Sequence, residues 1–310
     1  METREDFERA ERELYTKFGL TYRQRYLEGA GRGLRVVEVG DGEPVVFVHG
    51  GGGVGALWAP LLAELRGVRA IVIDRPGFGL SAGMDHTRVD LRRFAVEVLT
   101  AVLDDAKLSA APFVANSVGG LWTFWLALDR PRRVANIVQL GCPAFLLDTD
   151  APFAMRLLAQ PVLGPLLFRM QPPSPQMTER MYRQLGEDPS SGAVGSILPL
   201  ATAASLIPEY LPSWQTLLRS LLGLSGPRAG IPLGETALAR IQQDTLFIWG
   251  RQDPFGKADA GRRAAALMRS ASIEVIAGGH LPWLDDPVRC GALVRSHISN
   301  VRAPVAQRVS

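Results

Sequence analysis

Residues 112–120 read Pro112-Phe113-Val114-Ala115-Asn116-Ser117-Val118-Gly119-Gly120. The short apolar run Phe113 to Ala115 predicts a buried strand, and a second apolar run from Val118 to about Leu128 predicts a helix. One serine lies between them, with a small residue two before it (Ala115) and a glycine two after it (Gly119). This is the pattern of a nucleophile elbow, a strained turn that lifts a serine hydroxyl above the edge of a sheet. Small neighbours are needed because the strand and helix backbones approach closely there. Glycine usually holds the first of these positions, and here Ala115 adds one methyl. So short a motif takes its meaning from its surroundings.

On both sides of it the chain keeps a strand–loop–helix rhythm. Tyr22 to Leu27 and Leu34 to Val39 alternate like the strands of a hairpin, joined by the glycine-rich Gly29–Gly33. Pro44 to His49 is continuously apolar and suits a strand buried on both faces. Ala70 to Ile73 and Val134 to Leu140 predict further strands, with a helix over Val89 to Leu103. After residue 235 the pattern resumes: a strand at Thr245–Trp249, a helix near Lys257–Met268, a strand at Ile273–Ile276 and a last helix near Val288–Ile298. Such alternation predicts an α/β fold, a mostly parallel sheet with helices on both faces. Ligands of such sheets bind at the carboxyl ends of the strands.

Between the two halves the composition changes. Twelve of the chain's 22 prolines lie from Pro152 to Pro232, and only twelve of the 89 residues 144–232 are charged, against 21% overall. Short helices punctuated by proline fit this stretch, for example Gln176–Leu185 and Glu209–Leu222. The domain reading is therefore an N-terminal amphipathic helix over 1–20, a core domain over 21–143 and 236–300, a helical cap over 144–235, and a frayed tail over 301–310. In the first of these, Phe7, Ala10, Leu14 and Phe18 fall at helical spacing, with Gly19 as the stop. That helix reads as docked on the protein's own surface, with a dimer arm or part of a pocket lid as alternatives.

Length and composition narrow the rest. With 310 residues, 47% hydrophobic and a net charge of +3, this is an ordinary globular chain with no sign of a nucleic-acid partner. Lysine occurs only at 17, 107 and 257, and arginines are scattered. The charged N-terminus lacks the apolar core of a signal peptide, and no apolar run is long enough to span a bilayer. A cytoplasmic protein without a membrane partner, monomeric or homodimeric, is the expectation. Cys142 and Cys290 show no disulfide framework or metal-ligand spacing.

Three further segments follow strands. His49-Gly50-Gly51-Gly52-Gly53 offers backbone N–H groups unshielded by side chains, as an oxyanion site requires. No Gly-Lys-Ser/Thr follows, so a P-loop is excluded. In Trp249-Gly250-Arg251-Gln252-Asp253-Pro254, Asp253 can orient a histidine, with Asp148 or Asp150 as the next candidates. Gly278-Gly279-His280 places a histidine at a strand end, where the glycines give the ring room. The other histidines, His86 and His297, read as a loop residue and a solvated helix residue.

Ser117, Asp253 and His280 come in the chain order of the α/β-hydrolase triad. With Asp74-Arg75-Pro76-Gly77-Phe78-Gly79-Leu80-Ser81, which is similar to that family's D-x-P-G-x-G-x-S loop, the sequence resembles the α/β-hydrolase superfamily from about residue 22 to 298. The resemblance implies its fold with a cap inserted after strand six. It also implies a catalytic Ser117–Asp253–His280 triad, an oxyanion hole of the Gly51 and Val118 N–H groups, and no cofactor or metal. Gly50, Cys142 and Trp283 are candidates for substrate contact. Relatives with an aspartate nucleophile, the haloalkane dehalogenases and epoxide hydrolases, are excluded by the serine.

Asn116-Ser117 before Gly119-Gly120, together with Trp249-Gly-Arg, resembles the meta-cleavage-product hydrolases that cut C–C bonds. His280-Leu-Pro-Trp283 resembles the esterases. The leading expectation is a serine hydrolase for an ester or lactone of an apolar small molecule. A C–C hydrolase and a ligand receptor that retains a hydrolase pocket are the alternatives. The apolar side chains of the cap, among them Phe153, Met155, Phe168, Met170, Met177, Met181, Tyr182 and Trp214, are expected partly to pack on the core domain and partly to face a cavity above Ser117.

Overall fold

The structure is a computed structural model that describes residues 2–28 and 33–299. The expectations for the glycine-rich linker and for the tail beyond Asn300 fall outside those residues. Ten strands are described: β1 Tyr22–Tyr26, β2 Arg35–Val39, β3 Glu43–Val48, β4 Val68–Asp74, β5 Ala111–Asn116, β6 Val134–Leu140, β7 Leu222–Gly223, β8 Gly226–Pro227, β9 Asp244–Gly250 and β10 Ala271–Ile276. Eight of them form one sheet in the order β1-β2-β4-β3-β5-β6-β9-β10. From β4 to β10 all neighbours run parallel, and only β2 is reversed.

The order follows from burial. Val45 to Val48 of β3 and Phe113 to Ala115 of β5 are covered on both faces, so these apolar strands take the middle of the sheet. β1, Tyr-Arg-Gln-Arg-Tyr, is polar and largely exposed, and it sits at the edge, where its arginines discourage pairing with another chain. Helices Leu91–Asp105, Ser117–Asp129, Ala258–Leu267 and Pro287–Ser299 cover the faces.

The segment between β6 and β9 is helical, over Phe153–Leu158, Leu163–Met170, Pro175–Gln184, Gly192–Leu206 and Tyr210–Leu221. Its two ends meet where Leu233 N–H donates to Phe145 O and Leu147 N–H to Leu233 O. One helix here departs from the expectation of short, proline-cut pieces. Gly192–Leu206 runs for 15 residues through Pro199. Packing of Val194, Ile197, Leu200 and Ala204 outweighs the donor that Pro199 lacks. Among the described residues no single helix is long and apolar enough to cross a membrane.

The N-terminal helix Glu2–Lys17 packs against Gly192–Leu206, with Phe7, Leu14 and Tyr15 buried. It ends at Gly19 (φ +66°), where Leu20 N–H reaches back to Tyr15 O. Glu11 on its inner face pairs with buried Arg35 of β2, whose other partner is Asp74 at the end of β4. The helix is thus tied to both the sheet and the inserted segment.

Candidate active site

Ser117 is the first residue after β5 and opens the helix Ser117–Asp129. Its φ of +51° puts a residue with a Cβ in the left-handed region, the strain of a sharp strand-to-helix turn. The close approach foreseen from the small residues is present. A Cβ at Gly119 would overlap the carbonyl oxygens of Val48 and His49, and one at Gly120 would overlap the Gln139 amide. Ala115 is fully buried.

The glycine loop after β3 is held from behind. Arg75 Nη2 donates to Gly50 O at 2.7 Å and Arg75 Nε to His49 O at 3.0 Å. His49 Nε2 accepts the Arg75 N–H at 2.9 Å, so Nδ1 carries the proton and donates to Gly50 O at 2.8 Å. Burial and the Arg75 charge push the His49 pKa well down, which keeps this ring neutral. No cis peptide is present among the described residues, and in a trans unit the C=O and the following N–H point oppositely. The Gly50 carbonyl aims at Arg75; the Gly51 N–H therefore aims away from it. The same holds at the elbow, where Ser117 O accepts the Ala144 N–H at 3.1 Å and the Val118 N–H faces the other way. Neither N–H has an acceptor among the described residues.

Asp253, after β9, accepts from His280 Nδ1 at 2.8 Å through Oδ2, which also takes the Cys142 N–H at 2.7 Å. Oδ1 takes the Phe255 N–H at 2.9 Å. His280 follows β10, and its backbone is fixed by Leu185 O and by Asn116 Nδ2, which donates to His280 O at 3.1 Å. Asn116 thereby ties the serine strand to the histidine loop. No hydrogen bond joins Ser117 Oγ to His280, a contact that often tightens only when a substrate is bound.

Ser117, His280, Gly50, Gly51, Val118, Cys142 and Trp283 all line one cavity of about 1090 Å³, a volume that includes solvent at its mouth. Asp253 stands behind His280, outside the lining. Met155, Met181, Tyr182 and Trp214 of the inserted segment form the opposite wall. Phe153 and Met170, by contrast, are 62% and 69% exposed and face solvent. Tyr210 donates its hydroxyl to Gly52 O at 2.6 Å and Trp214 lies over Gly51, so the insertion closes directly onto the glycine loop. Trp283 is buried, lies against Trp58 in a tilted pair with ring centroids 4.2 Å apart, and donates its indole N–H to Leu57 O. Cys142 is buried and its thiol pKa is pushed well up, mainly by burial, so it is no thiolate nucleophile.

Several sequence expectations are corrected. His86 is fully buried against Phe78 and Phe94, and burial lowers its pKa to about 4. His297 is buried as well, with Nε2 at 3.2 Å from Asp244 O. At the glycines before His280, a Cβ at Gly278 would overlap Asp285, and one at Gly279 would crowd Glu187 and Leu185 O. Asp148 is exposed and pairs with Arg263. Asp150 reaches the cavity but pairs with Arg156. Arg75, Asn116, Glu187 and Tyr210 lie outside the sequence reading of the site. Arg75, in the loop after β4, and Asn116, beside Ser117 in the elbow, stand in motifs already quoted; Glu187 and Tyr210 do not.

The model of the Alpha/beta hydrolase family matches residues 45–293. A 2-hydroxy-6-oxo-6-phenylhexa-2,4-dienoate hydrolase of Burkholderia cepacia is 28% identical over 246 residues, 77% of this chain and 81% of that protein. A 2-hydroxy-6-oxononadienedioate/2-hydroxy-6-oxononatrienedioate hydrolase of Comamonas testosteroni is also 28% identical, over 247 residues with the same coverage. Among solved structures, a carboxylesterase of Bacillus subtilis superposes with a TM-score of 0.72 at 21% identity, covering 96% of this chain and 98% of the other. With its carboxyl-end site, its single reversed strand and a family match over most of its length, the chain belongs to the alpha/beta hydrolase family.

Proposed function

We propose that the protein is a serine hydrolase that cleaves esters of uncharged, apolar acyl groups. Ser117 Oγ attacks the ester carbonyl while His280 Nε2 takes its proton. Asp253 holds Nδ1–H and favours the charged ring that forms. The carbonyl oxygen becomes an oxyanion between the Gly51 and Val118 N–H groups, where one such donor lowers a barrier by about 3–4 kcal/mol. The imidazolium gives its proton to the departing alcohol. Water, deprotonated by the same ring, then releases the acid and restores Ser117. A lactone would follow the same steps, with the alcohol remaining attached to the acyl chain.

One observation carries the choice of substrate. Apolar side chains wall the cavity, and no lysine or arginine is among the residues that line it; the only carboxylate there, Asp150, is paired with Arg156. A dienoate, named in two of the relatives, is a carboxylate anion and would enter without a cationic partner, at a cost that burial makes large. The likeness to those hydrolases supports C–C bond hydrolysis as the second reading. The electrostatics of the cavity favour the ester.

The test is kcat/KM for p-nitrophenyl esters from acetate to hexanoate, beside 2-hydroxy-6-oxo-6-phenylhexa-2,4-dienoate. Each added CH2 is expected to gain up to about 0.8 kcal/mol, roughly fourfold, until the cavity is full. A flat ester series with faster dienoate turnover would reverse the choice.

A further inference from the structure

The loop that carries His280 is gripped at four consecutive N–H groups by three different parts of the chain. Gly278 N–H donates to Gln252 Oε1 at 3.0 Å, Gly279 N–H to Asp285 Oδ2 at 2.9 Å, His280 N–H to Leu185 O at 2.8 Å and Leu281 N–H to Glu187 Oε1 at 2.8 Å. The last two acceptors belong to the inserted segment. They sit in the turn that ends helix Pro175–Gln184, where Gly186 (φ +86°) lets Glu187 N–H return to Tyr182 O. Glu187 is therefore a carboxyl of the insertion that reaches the residue next to His280.

Its surroundings are unusual for a carboxyl. Glu187 is 4% exposed, and its Oε2 has no hydrogen-bond partner among the described residues. The charged groups that act on it are acidic: Asp285, which ends helix Pro282–Asp285 and holds the Gly279 N–H two residues from Leu281, and Asp253 behind His280. Asp188, the next residue, acts on Asp285 in the same sense. Among the described residues no lysine or arginine forms an ion pair with Glu187 or Asp285. Burial first, and then the Asp285 charge, push Glu187 up to about 9; Asp285, whose side chain stays exposed to solvent, is raised too. With Oε2 buried and unpartnered and acidic charges beside it, Glu187 is held as the neutral acid at pH 7.

We infer that Glu187 is a positioning residue for His280: as a neutral acid, it fastens the inserted segment to the histidine loop and keeps the ring in register. The inference rests on the hydrolase reading above for its kinetic consequence, though not for the bound proton itself. The sign of its pH dependence follows from the direction of the shift. A carboxyl whose folded pKa is raised binds its proton in the folded state after the unfolded chain has lost it. Its stabilising effect is complete below the ordinary carboxyl pKa and is lost as pH rises through the folded value. Loosening of the loop, and loss of activity, therefore belongs to the alkaline side, near pH 9.

The test compares the full chain with Glu187→Gln and Glu187→Ala. The glutamine can accept from Leu281 N–H but cannot titrate. It is expected to keep kcat at pH 7 within about threefold and to lose the falling alkaline limb of kcat. The alanine leaves Leu281 N–H unheld, and its kcat is expected to fall by about tenfold or more with KM within about twofold. Infrared spectroscopy supplies a readout without turnover: the C=O stretch of a protonated carboxylic acid, present in the wild type at pH 7, is expected to vanish in Glu187→Gln. An unchanged alkaline limb in Glu187→Gln, or no such band in the wild type, overturns the inference. If the protein turns over no ester, the hydrolase reading fails, and the infrared band still decides on the bound proton.

Discussion

A single carboxylate oxygen, Asp253 Oδ2, serves both His280 Nδ1 at 2.8 Å and the Cys142 N–H at 2.7 Å. The second bond comes from the chain just after β6. The acid is thereby fixed by the backbone of the neighbouring strand, and its remaining oxygen is taken by Phe255 N–H. It has no freedom to turn away from the ring.

This arrangement makes the role of Asp253 measurable. In Asp253→Asn one side-chain atom must be an NH2 group, which cannot accept from Nδ1–H. Either the imidazole takes the other tautomer or the amide loses a backbone partner. The expected loss in kcat is large, up to about 10⁴-fold, with far-UV circular dichroism unchanged. Activity within tenfold of wild type would mean that the orienting carboxylate lies elsewhere.

The backbone at Ser117 gives a prediction about stability rather than rate. Its φ of +51° is strained for any residue with a Cβ and easy for glycine. Ser117→Ala removes the hydroxyl but keeps the strain; Ser117→Gly removes both. The glycine variant is expected to be more stable than the alanine variant by about 1 kcal/mol, read from urea midpoints at equal slope, although both are inactive. Equal midpoints would place no strain at this turn.

Much of this architecture is legible in the sequence, for identifiable reasons. A strand buried on both faces must be continuously apolar, so β3 and β5 stand out. Glycine is forced where backbones meet, so the elbow at Ser117 and the loop at Gly50–Gly53 mark themselves. Side chains that act across the fold leave no such local trace. Glu187 follows a helix and is followed by aspartate, the pattern of a solvated end, yet the turn at Gly186 directs it inward. Tyr210 looks like one more apolar residue of a proline-rich stretch. Its contact with Gly52 spans 158 residues and depends on how the insertion folds back. His297 shows the reverse case: a polar helix residue outside any motif reads as solvated, whereas tertiary packing covers it, as it covers the loop residue His86. The glycines before His280 also answer the crowding of Glu187, Asp285 and Leu185 O, which no local pattern shows.

The central claim is that Ser117 is the nucleophile, and covalent capture tests it most directly. The protein is treated with a fluorophosphonate, and intact mass and peptide mapping are read beside ester turnover. The expected result is one adduct per chain, on Ser117, with parallel loss of turnover. Ser117→Ala is expected to take no adduct and to retain about 10⁻³ of the activity or less. Equal labelling of Ser117→Ala, or full turnover by it, would contradict the account.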